Sequence, residues 1–308
     1  MRTAVRIGAA VAVAGAFAAP LLRKKLKLPT AVTAGALAAG PLAIAVLAPR
    51  TKKRDVALYA QQMWGFLQAH ELPFDKPEAL ESRLRIDYPI RLDRAIGGGV
   101  LPTTRLQRGL RGRSEIVDRT LTWAHWLWFL EPHSALLWIL YRHNDRFPRA
   151  ARQMSAVFDI GCVVYYAVPT APPWWASEEG HTGDDEVSRI MVEVGERTWK
   201  GAWPKMYDSL GGNPWAAMPS LHFATAMMSA ILLSESGFVE GLAGWTYAAT
   251  LGFSLVYLGE HYVTDLIAGA ALVAAVRYGE PLAEPVVNEV NKGLQSLERI
   301  AEPQEPPA

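Results

Sequence analysis

The chain has 308 residues, of which 50% are hydrophobic, and its 31 basic and 30 acidic residues leave a net charge of +1. This balance shows no basic excess for nucleic acid, and no nucleic-acid motif is present, so we expect no nucleic acid as a partner. The single cysteine, Cys162, excludes an intramolecular disulfide and a cysteine metal site, and its apolar surroundings are typical of a small buried side chain.

Two apolar runs open the chain. The first extends from Ile7 to Leu22, and the second, from Leu28 to Ala48, is long enough to span a bilayer. Arginines before the first run and small residues at its end are also typical of a cleaved signal peptide. Because the second run follows almost at once, we interpret residues 1–54 as an uncleaved hydrophobic hairpin, or pair of helices, with basic flanks.

Residues 55–118 are polar and form a second region without a span. Apolar side chains recur with helical spacing at Val56, Tyr59, Met63, Phe66 and Leu67. This pattern predicts an amphipathic helix that lies on the membrane surface or on the bundle, or a plain soluble-face helix.

A cluster of arginines ends this polar region, at Arg105, Arg108, Arg111 and Arg113. The arginines are candidates for contact with lipid phosphates or an anionic headgroup. Each of them taken alone is also consistent with a solvated basic face.

Residues 119–279 hold the remaining apolar runs, and we expect them to form the catalytic transmembrane bundle. The five runs are Leu121–Tyr141, Met154–Val168, Leu221–Leu233, Leu242–Leu258 and Leu266–Val276. Together with Leu28–Ala48 they predict an all-α polytopic bundle with a six-helix core, to which Ile7–Leu22 adds an extra N-terminal segment. Residues 280–308 form a C-terminal tail, and its proline-rich end from Glu302 is predicted to be disordered.

The first of these five runs is interrupted by Glu131, Pro132 and His133. Proline removes a helix hydrogen bond, so we expect a kink there. Charge is expensive at membrane depth, so His125, Glu131 and His133 are expected to face the bundle interior or water, where they pair structurally.

A long loop precedes Leu221 and is rich in tryptophan, with Trp174, Trp175, Trp199 and Trp203. Tryptophans beside a span favour the membrane interface, and a long aromatic loop is also suited to form a lid or an acceptor site. The same loop offers basic side chains for phosphate contact, namely Arg189, Arg197, Lys200 and Lys205.

The candidate active site combines two short stretches, each at the start of an apolar run. Ser220 and His222 begin one run, His261 and Asp265 begin another, and the run between them returns the chain to the same end. His261 and Asp265, four residues apart, share a face. Helix N-termini attract oxyanions, one imidazole can attack phosphorus, and the other can protonate the leaving oxygen. The alternative is an ordinary polar pair and an unrelated histidine.

These stretches resemble a known family. Pro219-Ser220-Leu221-His222 and His261-x-x-x-Asp265 look like the second and third motifs of the type 2 phosphatidic acid phosphatase superfamily, over residues 90 to 279. Leu221 and the segment Pro169–Trp174 are closer to its inositol phosphorylceramide synthase branch. Two features depart from the family pattern: Leu255 replaces the arginine of the third motif, and the first motif has no clean match.

The resemblance implies a phosphohistidine mechanism. We expect no cofactor, and no metal because the site has too few carboxylates for a two-metal clamp. His261 would attack phosphorus, Asp265 would orient it, and His222 would protonate the departing alcohol. Ser220 would hold phosphate oxygens, and Lys205, Arg105 and Arg108 are candidates for the missing cationic contacts.

Three functions are compatible with these residues. The first is a phosphotransferase of the inositol-phosphate type, in which a lipid phosphate or phosphodiester is the donor and an alcohol such as inositol is the acceptor. The second is a lipid phosphate phosphatase with water as the acceptor. The third is a non-catalytic lipid-binding membrane protein that lacks the cationic contacts.

The arginines also bear on the orientation of the protein in the membrane. A short basic loop, Arg142–Arg152, is separated from Pro169 by one span, which puts it opposite the histidines. The positive-inside rule then predicts an active site outside the cytoplasm, and we expect the protein in the plasma membrane. The basic stretches at 50–54 and 105–119 favour the reverse orientation.

Overall fold

The structure, a computed structural model, describes residues 2–203 and 213–301 and is all-α in those two ranges. The helices are α1 (Arg2–Leu26), α2 (Thr30–Leu47), α3 (Lys52–Glu71), α4 (Pro77–Glu81), α5 (Asp87–Ile96), α6 (Pro102–Leu110), α7 (Glu115–Leu127), α8 (Glu131–Arg142), α9 (Phe147–Ala167), α10 (Pro173–Glu178), α11 (Ile190–Trp199), α12 (Leu221–Ser234), α13 (Phe238–Tyr257) and α14 (Val263–Ala301). Short 3-10 turns occupy Leu72–Asp75 and Lys200–Ala202. The predicted fold class is confirmed.

The chain forms two compact units, one of which combines the residues up to Asp75 with those from Arg277 onward. In this unit α1 packs along α2, and α2 along α3. The Trp64 indole N–H donates to the Ala16 carbonyl, at 3.1 Å. The Arg54 guanidinium donates to Glu298 at 2.9 Å, so a polar contact ties the start of α3 to the last part of α14. The two N-terminal apolar runs therefore form a pair of packed helices.

The second unit, Lys76–Val276, contains every residue of the candidate site that the structure describes. One of its hydrophobic clusters lies between α12 and α13, where Ala226, Ala230 and Ala248 meet Leu251 and Leu255. Alanines on facing helices let the two backbones approach closely, which is how membrane helices commonly pack. The same α12 also packs against α8 and α9, and α13 packs against α7.

The prediction of one kinked helix over Leu121–Tyr141 is wrong, because the helix ends there and a second helix begins. Helix α7 ends at Leu127, three residues form a turn, and α8 starts at Glu131. Pro132 lies in the first turn of α8, where its missing N–H costs no hydrogen bond. The proline thus begins a helix and does not bend one.

The segment Pro169–Trp174 leads the chain from α9 towards the candidate site. Thr170 forms isolated bridges with Arg85 on one side and Ala216 on the other. Trp174 N–H then donates to the Gly259 carbonyl at 3.1 Å, two residues before His261. This segment therefore holds the approaches to both histidine stretches together.

Three helices are long and apolar enough to cross a membrane by length and composition: α1, α2 and α14. Helices α8 and α9 of the second unit also carry exposed large apolar side chains, including Leu137 at 59% and Val163 at 66% exposure. Exposed large apolar side chains on helices of this composition fit contact with lipid. The chain is thus a polytopic α-helical membrane protein.

Candidate active site

His261 and Asp265 lie at the entry to α14. The His261 Nδ1 atom is 3.3 Å from Asp265 Oδ2, and this oxygen also accepts the Tyr262 backbone N–H at 2.8 Å. Asp265 is fully buried and His261 is 4% exposed. The backbone N–H groups of Glu260 and His261 both donate to the Leu255 carbonyl, which fixes the turn into His261. A carboxylate that accepts at Nδ1 leaves the Nε2 lone pair free to act as a nucleophile.

His222 lies in the first turn of α12, which Ser220 caps. The buried Ser220 hydroxyl oxygen accepts the Phe223 N–H at 3.2 Å, and the Ser220 N–H donates to the Asp265 carbonyl at 3.0 Å. This backbone bond joins the starts of α12 and α14. As a result, His222 Nδ1 lies 3.2 Å from His261 Nε2. The structure therefore brings His222, His261 and Asp265 together at one end of the bundle.

A third imidazole joins this cluster. His125, near the end of α7, places its Nε2 atom 3.4 Å from His222 Nε2 and is 5% exposed. The sequence interpretation gave His125 a structural pairing inside the bundle. The signal available in the sequence was a polar side chain in an apolar run, which does not reveal its partner.

The start of α14 differs from the predicted anion site, because its N–H groups are already bonded. Asp93 of α5 accepts the backbone N–H groups of Val263 and Thr264, each at 2.9 Å, and also the Thr264 hydroxyl. Burial raises the pKa of Asp93 above its ordinary value, while these bonds from Thr264 and Val263 act to lower it. At the start of α14 the Asp93 carboxylate therefore accepts the N–H groups that the sequence predicts to bind a phosphate oxygen.

Arg189 is a cation close to the histidines. Its guanidinium makes two bonds to Glu260, at 2.9 and 3.1 Å, and lies 3.9 Å from the centre of the Trp174 ring. Burial alone would raise the pKa of Glu260, but Arg189 outweighs it and the pKa lies below its ordinary value. Because Glu260 directly precedes His261, this ion pair holds the Arg189 guanidinium near the cluster, with its charge balanced by Glu260.

Only one of the predicted phosphate-binding residues lies at the histidine cluster in the part of the chain that the structure describes. Ser220 lies inside the cluster, whereas Arg105 and Arg108 are on the exposed face of α6, and Arg108 donates to the Asp184 carbonyl at 2.9 Å. In the part of the chain that the structure describes, neither guanidinium contacts a histidine of the cluster. Lys205 lies outside the described residues.

Leu255, where the family pattern has arginine, is fully buried in the core between α12 and α13. Arg146 and Arg149 meet Glu235, at the end of α12 remote from His222. The short basic loop is therefore far from the cluster, as its position in the chain predicts. Across residues 2–203 and 213–301, no three His, Cys, Asp or Glu side chains are grouped so as to hold a metal ion.

An all-α membrane bundle with His222, His261 and Asp265 together at one end is consistent with the integral membrane enzymes of lipid phosphoryl transfer. The family comparison agrees: the model of the PAP2 superfamily matches residues 90–278, more than half of the chain. The chain belongs to the PAP2 superfamily.

One curated relative is an inositol phosphorylceramide synthase from Candida albicans, 30% identical over 142 residues. The alignment covers 42% of this chain and 29% of the relative, so the chain matches less than a third of that protein's length. The comparison with solved structures gave no significant match.

Proposed function

We propose that this protein transfers a phosphoryl or phosphodiester group from a membrane lipid to an alcohol, through a phosphohistidine intermediate. The observation that carries the proposal is the cluster of His222, His261 and Asp265, with contacts of 3.2 and 3.3 Å. Two imidazoles supply a nucleophile and an acid, and the buried carboxylate orients the nucleophile.

In the first half of the reaction, the His261 Nε2 lone pair attacks phosphorus and the bond from phosphorus to the lipid alcohol breaks. His222 gives its Nδ1 proton to the departing oxygen. Asp265 keeps the His261 Nδ1 proton in place and stabilises the charge that forms on the ring. Because the two rings are in contact at 3.2 Å, they must part to admit the phosphoryl group between them.

In the second half, the acceptor hydroxyl attacks the phosphohistidine, the bond between phosphorus and nitrogen breaks, and the acceptor proton returns to His222. An alcohol such as inositol, or a lipid hydroxyl, makes the protein a transferase. Water makes it a lipid phosphate phosphatase. The similarity to an inositol phosphorylceramide synthase favours the transferase.

We assign the cationic contact with the phosphate to Arg189, because its guanidinium is bonded to Glu260, the residue directly before His261. The Ser220 hydroxyl accepts from Phe223 and keeps its own proton for a phosphate oxygen. Arg105, Arg108 and Lys205 remain proposals for contact with the lipid headgroup. A planar guanidinium suits phosphate because it can donate two parallel bonds.

The test is to incubate the purified protein with phosphatidylinositol or phosphatidic acid that carries radioactive phosphorus, and to trap labelled protein by rapid denaturation at alkaline pH. We expect the label on His261 in the wild type and none in His261→Ala. Asp265→Asn should turn over about a thousandfold more slowly, because the amide no longer selects the reactive tautomer. His143→Ala, at the far end of α8, is the matched control.

Added inositol decides between the two enzymatic functions. With phosphatidic acid as the donor, release of free phosphate that inositol does not change supports the phosphatase, and formation of an inositol phosphate monoester supports the transferase. With phosphatidylinositol as the donor, release of inositol phosphate supports hydrolysis, and formation of a new inositol phosphodiester supports transfer. Unchanged turnover in His261→Ala would exclude the proposed nucleophile. No turnover of either lipid by the wild type would favour a non-catalytic lipid-binding protein.

A further inference from the structure

His125 has a feature that the two-histidine mechanism does not use. Its Nε2 atom faces His222 Nε2 at 3.4 Å, while the opposite nitrogen of His222 faces His261. The Nδ1 atom of His125 is buried and has no hydrogen-bond partner among the residues that the structure describes. Each imidazole of the cluster is thus connected through nitrogen atoms to the next, from His125 to Asp265.

The proton positions along this row follow from Asp265. Its carboxylate accepts the His261 Nδ1 proton, so in the nucleophilic form of His261 the Nε2 atom is bare and accepts a proton from His222 Nδ1. Two arrangements then remain at the contact between His222 and His125. Either His125 donates from Nε2 to a neutral His222, or it accepts from a His222 that carries both protons.

Proton balance in the proposed reaction separates these two arrangements. If His125 donated, loss of the His222 Nδ1 proton to the leaving oxygen would leave His222 as an imidazolate anion. If His125 accepts, His222 begins as an imidazolium, gives up its Nδ1 proton, and ends neutral with its remaining proton on Nε2. Only the second arrangement gives ordinary species before and after transfer.

We propose that His125 is a positioning residue that accepts the His222 Nε2 proton and thereby keeps the Nδ1 proton of His222 available for the leaving alcohol. This inference rests on the proposed function. His125 touches neither substrate nor phosphorus and acts through His222. It extends the pair of catalytic histidines to a row of three.

The surroundings hold the two rings in this contact. The Trp128 ring lies 4.1 Å from the His222 ring, and its indole N–H is taken by the Thr225 hydroxyl at 2.7 Å. Trp128 therefore packs against His222 and leaves the His222 Nε2 atom to His125. Glu260, His261 and Arg189 act electrostatically on His125, and Glu260 and Arg189 are paired with each other.

The test compares two leaving groups in the full-length protein in lipid micelles. Phosphatidic acid releases an alkyl alcohol that needs a proton, whereas 4-nitrophenyl phosphate releases a phenolate that does not. We expect His125→Phe to lower kcat about tenfold or more on phosphatidic acid and less than about twofold on 4-nitrophenyl phosphate. His125→Gln should recover most of the rate, since its amide reaches the position of Nε2.

Two further measurements keep a folding defect apart from a positioning role. The thermal midpoint of His125→Phe should change little, because the variant removes a buried nitrogen that has no partner and also removes the acceptor of the His222 Nε2 proton, and these two effects oppose each other. His133→Phe, a half-buried histidine of α8 outside the cluster, should change neither rate.

An equal loss on both substrates in His125→Phe, or a lower thermal midpoint with both rates reduced, would overturn the role of His125 and leave the proposed function intact. A His125→Phe enzyme with the wild-type rate on phosphatidic acid would do the same. Failure of the wild type to turn over phosphatidic acid, 4-nitrophenyl phosphate and phosphatidylinositol would instead overturn the proposed function, and the inference with it.

Discussion

Asp93 shows at the residue scale how a side chain remote in sequence prepares the site. It is fully buried and accepts the first two backbone N–H groups of α14, beside Asp265. A capping carboxylate satisfies donors that the helix itself leaves unpaired. Because α14 carries Asp265 in its first turn, the cap fixes the orientation of the carboxylate that in turn orients His261.

We expect Asp93→Ala to lower the free energy of unfolding by about 1–2 kcal/mol, because Val263 and Thr264 lose their acceptor. Turnover should fall as well, since the start of α14 is no longer held. Thermal unfolding in detergent and the rate on phosphatidic acid measure the two effects. Asp87→Ala, an exposed acid on the same helix α5, should change neither. Equal effects of the two substitutions would contradict a capping role.

At the scale of elements, the approach of α12 to α14 depends on Gly269. A Cβ atom at this position would lie 2.7 Å from the Ser220 carbonyl oxygen, which is too close for a nonbonded contact. The oxygen belongs to the backbone at the start of α12 and cannot rotate away. Glycine here therefore allows the separation at which His222 meets His261.

We predict that Gly269→Ala destabilises the protein by about 1–3 kcal/mol and lowers activity, because α12 must move away from α14. The matched control is Gly279→Ala on the same helix, where a Cβ atom meets no other atom within 4 Å. That control should raise stability by about 0.5–1 kcal/mol, since alanine favours a helix. The measurement is the thermal midpoint of the two variants and the wild type. A Gly269→Ala midpoint equal to that of the wild type would contradict the close approach of α12 and α14.

Glu260 lies in the connection between α13 and α14 and is paired with Arg189, which directly precedes α11. This ion pair predicts that stability depends on pH. The folded-state pKa of Glu260 is below its ordinary value of 4.5, so the ionised form favours the folded protein. Its contribution is present above that value and is lost as the pH falls through the lower folded-state pKa.

Glu260→Gln should therefore flatten the fall in thermal midpoint that the wild type shows from neutral pH to below 4.5. At neutral pH the variant should also be less stable, because the Arg189 guanidinium loses its partner. Glu178→Gln, an exposed acid in α10, serves as the reference and should keep the wild-type pH profile. Parallel curves of thermal midpoint against pH for the wild type and Glu260→Gln would show that the ion pair of Arg189 and Glu260 does not contribute to stability.

At the scale of the whole molecule, the short basic loop and the histidine cluster occupy opposite ends of the second unit. Arg146 contacts Glu235 at the end of α12, and His222 lies at its beginning. A short loop rich in arginine favours the cytoplasmic side. We therefore propose that the histidine cluster faces away from the cytoplasm.

Cysteine labelling in intact cells tests this orientation. Glu179→Cys, beside α10 near the cluster, should react with a membrane-impermeant maleimide, whereas Asp145→Cys in the short basic loop should react only after the membrane is permeabilised. Both positions are exposed, and the native Cys162 is buried and should stay unlabelled. The opposite labelling pattern would reverse the proposed orientation.

Much of the fold was predictable because membrane spans depend on local composition. The apolar run Leu221–Leu233 became α12, and Leu28–Ala48 became α2, each within two residues of the predicted ends. The break before Pro132 was harder to predict, because proline suits both a kink and a helix start. The choice between them depends on how α7 and α8 pack against their neighbours.

The sequence by itself determined the all-α membrane bundle and the pairing of His261 with Asp265, because hydrophobic run length and a four-residue spacing are local properties. Only the tertiary structure decided that His125 joins His222, that Asp93 occupies the start of α14, and that Arg189 lies beside the cluster. These three contacts join residues between 71 and 170 positions apart in the chain. Sequence periodicity does not specify such partners. The packing of the helices specifies them, because each buried polar group needs a hydrogen-bond partner.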